Sequence, residues 1–449
     1  MRPSPELVAA WLEAWPRGAA QAARAAAEAA SDPWQAVAEA GWLARCEPVD
    51  GRPRPVAQRR ALGAWDTPRH LAEELVGLTR ERGRGLDPSC GSGALLLAMH
   101  QAGVRELVGV EIDPVVAAVA RVAVPSAELR VADAFAGLPE ADLILSNPPF
   151  VASEAQDKVQ RAALRRRMPW LQGRFDLAVP FLACLEAPEL ALVCPVAVLR
   201  QNYAAELRAR WLTRYRVAHL QTEQPFPGAG VRVALTVLRE GPDQESSARL
   251  RLPGCVLDPR VGAAEVALME RMRADCGVLG DHCEVDTGVV AHGPLGGKER
   301  LLHATPGPGR VPYVDAQDLL SGRRRWLQYE PTQMHRAKRP ALFLGPKLLV
   351  QRLGTRRATV DRSGLYAGHT LTVVRPLPGC PYTLEQLKEL IESPLSLGLL
   401  RIERGLRLDL YPRDLRRLAI PHRWPEQPLE RAFGLSPRDS ARLRSLSEP

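Results

Sequence analysis

Between about residues 60 and 240, short apolar runs alternate with segments whose aliphatic residues recur at helical spacing. The runs at 84–87, 106–111, 128–132, 141–146, 189–194, 216–221 and 231–239 predict strands. Helices fit between them at 67–80, 92–102, 114–123, 174–186 and 202–213. Strands alternating with helices in this way predict an α/β fold with a doubly wound sheet. The flanking regions follow other patterns. Residues 5–46 are Ala-rich, with Leu7, Trp11 and Trp15, then Trp34, Val37 and Trp42, at helical spacing, which predicts two or three helices. A loop follows at Gly51-Arg52-Pro53-Arg54-Pro55. The polar stretch Gly241–Ser247 interrupts the alternation, and beyond it strands are short, mixed and rich in Gly and Pro. The pattern therefore divides the chain into an N-terminal helical segment at 1–57, an α/β domain at 58–245 and an α+β domain at 246–449.

Composition adds bounds. A chain of 449 residues is long enough for two or three cores. No apolar run approaches the length of a membrane span, and the first residues lack the apolar core of a secretory signal. Eight cysteines stand apart at 46, 90, 184, 194, 255, 276, 283 and 380, with no CxxC pair. Neither a metal site nor a disulfide framework is expected, and a reducing prokaryotic cytoplasm is the simplest location. Charge is uneven. Residues 1–250 hold 29 Lys+Arg and 29 Asp+Glu, whereas 251–449 hold 31 and 22. The whole basic excess lies in the C-terminal part, which suits a polyanion such as nucleic acid. An Arg-rich and Ala-rich composition explains the excess as well.

The chemistry concentrates where the predicted strands end. Asp87-Pro88-Ser89-Cys90-Gly91-Ser92-Gly93 follows the first strand and opens a helix, and its two glycines let backbone approach a ligand closely. The second strand ends in Glu111-Ile112-Asp113, where a carboxylate suits the hydroxyls of a ribose. The third ends at Asp133, whose carboxylate can accept from an adenine amine. The fourth ends in Asn147-Pro148-Pro149-Phe150. An amide oxygen, a carbonyl fixed by proline and an aromatic ring make a slot for a planar exocyclic amine. An Asp at a strand end often only caps the next helix, but four polar strand ends in series point to one crevice.

This order of motifs resembles the class I S-adenosylmethionine-dependent methyltransferases, and NPPF resembles their amino methyltransferases. Leu62-Gly63-Ala64-Trp65-Asp66-Thr67-Pro68 is similar to motif X, which precedes the cofactor loop in the gamma class. Phe226-Pro227, followed by Val231-Arg232-Val233-Ala234, resembles the later motif whose ring faces the target base. The likeness covers about residues 58–240 and is greatest to Taq-type N6-adenine DNA methyltransferases. It implies a Rossmann-like sheet and S-adenosylmethionine as cofactor. It places Thr67, Asp87, Pro88, Gly91 and Gly93 at the amino-acid end of that cofactor, Glu111 at its ribose, Ile112 and Asp133 at its adenine, and Asn147 between cofactor and target. Ala134 departs from the family, which often has an aromatic there, and leaves the packing role to Phe135.

The resemblance also implies the reaction. Asn147 Oδ1 and the Pro148 carbonyl would accept the two hydrogens of adenine N6, and a base flipped out of a duplex would lie between Phe150 and Phe226. Four arginines at 161, 165, 166 and 167 follow this loop and read equally as phosphate contacts or a solvated helix face. Asp176 or Arg174 could shape the base pocket, with capping the simpler role for the aspartate. Farther on, Leu279–Val290, Leu348–Gly354, Leu390–Pro394, Arg407–Leu410 and Leu415–Pro421 resemble a target-recognition domain of type I restriction specificity subunits. That implies double-stranded DNA as partner, with Arg323, Arg324, Arg325, Arg356 and Arg357 as backbone contacts. Restriction-modification is the implied setting, and a separate restriction endonuclease is an open partner. Other readings stay open: an RNA or protein amino methyltransferase, a catalytically inactive DNA-binding specificity protein, and cytosine N4 in place of adenine N6.

Overall fold

The computed structural model describes residues 67–112, 114–221, 224–226, 231–291, 300–352, 357–405 and 410–448. The helices expected at 1–57, with Trp65, Asp66, Pro227 and Arg356, lie outside the described residues. The chain forms two compact units, Met1–Ala263 and Ala264–Pro449.

The first unit begins with α1 (Arg69–Gly77), β1 (Arg84–Asp87), α2 (Ala94–Gln101), β2 (Glu106–Glu111), α3 (Pro114–Ala123), β3 (Glu128–Val131) and β4 (Leu143–Ser146). It continues through α4 (Lys158–Arg167), α5 (Ala178–Leu182), β5 (Glu189–Pro195), α6 (Val196–Arg200), α7 (Ala205–Arg214), β6 (Tyr215–Leu220), β7 (Gln224–Pro225), β8 (Arg232–Glu240) and α8 (Gln244–Leu250). The sheet runs β3-β2-β1-β4-β5-β8-β6, with β7 paired to β8. Strands β1 to β5 are parallel, and β8 is antiparallel to β5 and β6. The chain winds outward from β1 to β3 and then returns to β4 on the other side of β1. That reversal is the topological switch point, and it opens a crevice beyond the carboxyl ends of β1 and β4. This is the doubly wound, Rossmann-like sheet that the sequence predicts.

Both faces are covered over the central strands, which send alternate residues into two cores, while the edge strand β3 is largely exposed. Leu143 and Leu145 of β4 enter one core with Leu75, Leu96 and Met99. Ile144 enters the other with Leu182, Leu192 and Trp211. Full burial of all seven residues of β5 marks it as the central spine.

Two expectations are corrected here. Helix α4 forms where none was placed, because Asp157 caps it, its Oδ1 accepting from Val159 N and Gln160 N at 2.9 Å each. The helix expected at 174–186 shortens to Ala178–Leu182. The two compact units divide after Ala263. Asp243 Oδ1 accepts from Ser246 N at 2.8 Å and starts α8, so the polar stretch is a helix cap rather than a linker. Ser246 Oγ then donates to Tyr215 O at 3.0 Å. Arg208, fully buried, donates to the carbonyls of Val198, Gln201, Gly254 and Cys255 and ties residues 254–255 to α7.

The second unit has α/β character. It holds α9 (Ala263–Arg273), β9 (Cys276–Val278), β10 (Cys283–Thr287), β11 (Leu302–His303), β12 (Arg310–Val314), α10 (Ala316–Ser321) and β13 (Arg325–Gln328). Then come β14 (Lys347–Gln351), β15 (Ala358–Asp361), β16 (Tyr366–Ala367), β17 (Leu371–Pro376), α11 (Leu384–Glu392), α12 (Pro394–Arg404), β18 (Ala419–Pro421) and α13 (Pro437–Ser447). Two four-stranded sheets run β10-β17-β14-β15 and β11-β13-β12-β16. They share a core that includes Tyr313, Leu327, Phe343, Leu349 and Val373. The two ends of the region expected at 275–421 meet: β18 pairs antiparallel with β9, and Leu279 N donates to Leu418 O at 2.9 Å. Gly398 of α12 permits close packing on α13, since a Cβ there would lie 2.3 Å from Leu443 O. No helix among the described residues is long and apolar enough to cross a membrane.

Candidate active site

Four loops leave the carboxyl ends of β1 to β4 and carry the polar residues picked out in the sequence. The first is the turn Asp87–Gly93. Asp87 is buried, and its Oδ1 accepts from Ser89 N at 3.1 Å. Burial pushes its carboxyl up to about 8; the Ser89 bond opposes that rise and nearby Glu111 adds to it. Pro88 is buried in the same turn. Gly91 and Gly93 adopt positive φ, 54° and 95°, a region that favours glycine. A Cβ on Gly93 would also lie 3.3 Å from Ala120 Cα, so the turn needs glycine for space as well.

The second loop is tied to the first. Glu111 Oε2 accepts from Gly91 N at 2.9 Å, which fixes the acid against the glycine turn. Beside it Ile112 is 68% exposed, an apolar side chain standing in the open at the crevice. Asp133 is exposed at the end of β3, and its Oδ1 accepts from Phe135 N at 2.9 Å. Capping is thus one role of Asp133, with its second oxygen still to be placed. Phe135 packs edge-on to Phe181 at 6.0 Å between ring centroids, which joins this loop to the core.

The fourth loop is the Asn147–Phe150 turn. Asn147 Nδ2 donates to Thr67 Oγ1 at 3.1 Å, and Ser89 Oγ donates to the Asn147 carbonyl at 3.1 Å. Thr67 is buried. One bond sets the face of the amide and the other links its backbone to the glycine turn. Downstream, Val151 O accepts from Leu177 N at 3.0 Å and from Gln156 Nε2 at 2.9 Å. Gln156 Nε2 also donates to Phe175 O at 2.8 Å. This buried glutamine straddles two segments behind the turn, a role that its place in a polar stretch of sequence did not signal. Asp176 Oδ1 accepts from Ala178 N at 2.9 Å and so caps α5; burial pushes its carboxyl up to about 6.

The structure therefore brings Thr67, Asp87, Pro88, Gly91, Gly93, Glu111 and Asn147 together at the switch point. Phe150 and Phe226 are both buried and meet edge to face, with ring centroids 5.7 Å apart and planes at 86°. Contact between the rings leaves no slot for a base between them, so a sandwiched base requires one ring to move. In the second unit Arg323, Arg324 and Arg357 are exposed. Arg325 is different: its guanidinium pairs with Asp315 and Asp318 and lies over the Tyr313 ring at 5.2 Å. Its charge is already matched inside the unit.

Residues 68–172 match the family described as the methyltransferase small domain. No curated protein matches the chain. Among solved structures, the type IIL restriction-modification enzyme MmeI in complex with DNA is similar, with TM-score 0.51 and 11% identity over 87% of this chain and 72% of that one. A Listeria monocytogenes protein assigned to the class I S-adenosylmethionine-dependent methyltransferases has TM-score 0.36 and 14% identity over 47% and 71% of the two chains. TrmN from Thermus thermophilus has TM-score 0.29 and 22% identity over 43% and 55%.

Residues 68–172 thus lie in a methyltransferase domain, whose cofactor is S-adenosylmethionine. The residues present fit that group. The glycine turn gives backbone access, Asp87 offers a carboxylate to a cation, and Ile112 offers an exposed apolar face to a purine.

Proposed function

We propose that this chain methylates adenine N6 at specific sites in double-stranded DNA, in restriction-modification or a related marking of host DNA. The observation that carries this reading is the Asn147 amide. Its nitrogen donates to Thr67 Oγ1, and its oxygen faces the opposite way as an acceptor at the switch point. An acceptor beside a proline carbonyl suits an amine with two hydrogens to give.

The adenine amine is a weak nucleophile because its lone pair is delocalised into the ring. Asn147 Oδ1 and the Pro148 carbonyl accept the two N6 hydrogens and favour a pyramidal nitrogen. Positive charge develops on that nitrogen as it is methylated, and the two oxygens stabilise it where it appears. They are held before the reaction, by Thr67 and by the proline ring, so little reorganisation is needed. S-adenosylmethionine supplies the electrophilic methyl group, with Asp87, the Gly91–Gly93 turn, Glu111, Ile112 and Asp133 as its holding residues. Phe150 lies against the base, and Phe226 moves off Phe150 to take the second face. The base must leave the duplex to reach such a slot.

Two further observations support DNA as the polymer. The similarity to MmeI, whose structure contains DNA, extends over more of the chain than the first unit spans. The basic excess lies beyond residue 250, where Arg323, Arg324 and Arg357 are exposed for phosphates. Incubation with labelled S-adenosylmethionine and a panel of duplexes tests the reading, followed by nucleoside analysis. Label in N6-methyladenine supports it. Label in N4-methylcytosine moves the target base, and label in rRNA or a release factor instead of DNA refutes the polymer. Cofactor binding without transfer to any substrate favours a specificity protein.

A further inference from the structure

The loop that follows the Asn147–Phe150 turn carries charge that the methyl-transfer site does not use. Residues 151–174 hold Lys158, Arg161, Arg165, Arg166, Arg167 and Arg174 against only Glu154 and Asp157. Since residues 1–250 hold equal numbers of basic and acidic side chains, the rest of that stretch is net acidic. The first unit therefore gathers its positive charge beside its catalytic turn. Five of the six cations lie on α4. Among the described residues, none of these five pairs with a carboxylate. The ion pair of this segment is Arg174 with Glu154 at 2.9 Å, at the surface, and Asp157 is occupied by capping.

Three of the guanidinium groups are nevertheless held in place. Arg161 Nη1 donates to Ser153 O at 2.8 Å and to Ser153 Oγ at 3.2 Å. Arg165 Nη2 donates to Gly173 O, and its guanidinium lies over the Phe175 ring at 5.6 Å. Arg167 Nη1 donates to Phe135 O. A carbonyl orients a guanidinium without cancelling its charge. The anchors are also informative: Ser153 is three residues past Phe150, and Phe135 is two past Asp133. The charges are thus fixed to the two loops that leave β3 and β4, at the rim of the crevice.

Two plainer accounts fit less well. Cations in the last turn of a helix are favoured by its dipole, but they then bond the helix's own last carbonyls, whereas these partners lie outside it. A merely solvated face would not be tethered at three points. It would also gain nothing from Arg161 and Arg165 one turn apart, where like charges repel.

We propose that α4 is a phosphate-binding ridge that grips the backbone of duplex DNA beside the target base, through Lys158, Arg161, Arg165, Arg166 and Arg167. The proposal rests on the DNA reading above. A ten-residue helix is about 15 Å long, matching about four phosphates of one strand at roughly 3.4 Å of rise each. Contacts of this kind carry no sequence information; they fix register and orientation. A ridge attached to the catalytic loops would place the phosphates flanking the target relative to the Asn147 amide.

The test is the salt dependence of duplex binding by the full chain, read by fluorescence anisotropy, for wild type, Arg166→Gln and the triple variant Lys158→Gln/Arg161→Gln/Arg166→Gln. Each lost phosphate contact lowers the slope of log K against log salt by about 0.9, so the triple variant should lose about 2.7. KM for DNA should rise while the calorimetric affinity for S-adenosylmethionine stays as in wild type, and in Arg166→Gln the melting curve should stay so too. Arg161 tethers Ser153, so Arg166→Gln, which touches no such tether, provides the cleaner loss of about 0.9. A wild-type slope in both variants, with DNA bound and methylated, overturns the ridge and leaves the DNA reading standing. Wild-type protein that binds cofactor but no duplex overturns both.

Discussion

Binding of S-adenosylmethionine should release a proton from Asp87, and its affinity should therefore depend steeply on pH. Burial holds the Asp87 carboxyl near 8 in the free protein, so it is protonated in most molecules at neutrality. A cofactor that brings positive charge to this carboxyl selects the ionised form. Below pH 8 the apparent affinity then falls about tenfold per unit, or about 1.4 kcal/mol, as ionising Asp87 becomes part of the cost of binding. Between pH 7.5 and 5.5 the dissociation constant should rise close to a hundredfold. The window is chosen because an α-amino group titrates near 8, so the cofactor's own amine is mostly charged within it. Titration calorimetry in two buffers of different ionisation enthalpy at pH 7 should show about nine-tenths of a proton released per cofactor bound. Asp87→Asn should bind more weakly at pH 7.5 and show no such slope. The sign for stability is opposite to that of a paired carboxylate. The unfolded chain ionises Asp87 near 3.8 and the folded apoprotein near 8, so the folded form binds more protons between these values. Apoprotein stability therefore falls as pH rises through that range. A flat dissociation constant across pH 5.5–7.5 in the wild type would refute the reasoning.

Other outcomes follow from contacts already described. Thr67→Val removes the bond that sets the Asn147 amide, worth about 1 kcal/mol, and should slow single-turnover methyl transfer about fivefold. In an Asn147→Ala background the same change should cost nothing more, because the two act as one unit. Arg208→Met leaves four buried carbonyl partners without their donor, at about 1–3 kcal/mol each before relaxation, and should lower the urea midpoint markedly. It should also open residues 251–262 to limited proteolysis. Lys347→Met strands the buried Asp361 carboxylate and should cost about 3–5 kcal/mol in urea unfolding. Lys347→Met/Asp361→Leu should recover only part of that, since Asp361 also accepts from Ser363 N and Leu365 N.

The central sheet was legible because its inner strands are buried on both faces and read as continuous apolar runs between turn residues. The site was legible for a related reason: in such a sheet, polar residues that end successive strands collect at one edge. Less was legible where side chains outside the periodic segments decide the structure. Asp243 looked like part of a linker, yet an Asp followed by Gln, Glu and two serines is a helix start. Asp157 started α4 in the same way, unnoticed behind its arginines. The boundary at 263 depends on Arg208 reaching carbonyls some 46 residues away, a contact with no local signature. Arg325 read as a DNA contact because its neighbours Arg323 and Arg324 are basic. Its acidic partners are the N-cap Asp315 and the first-turn Asp318 of the short helix α10, and only the fold turns them towards it. The edge-to-face contact of Phe150 with Phe226 was equally hidden, since 76 residues separate them.

The bond from Asn147 to Thr67 has one more consequence. An amide that could turn over would offer either its oxygen or its nitrogen to whatever base arrived. In the orientation held at Thr67, its oxygen is the end turned away from that residue. Guanine and thymine carry a keto oxygen where adenine and cytosine carry an amine, so either would set acceptor against acceptor in the slot. An unmatched buried pair of that kind costs about 1–3 kcal/mol on each side. On the proposed reading, an amide turned oxygen-first would favour a base with an amine to give, and Thr67→Val should weaken that preference along with the rate.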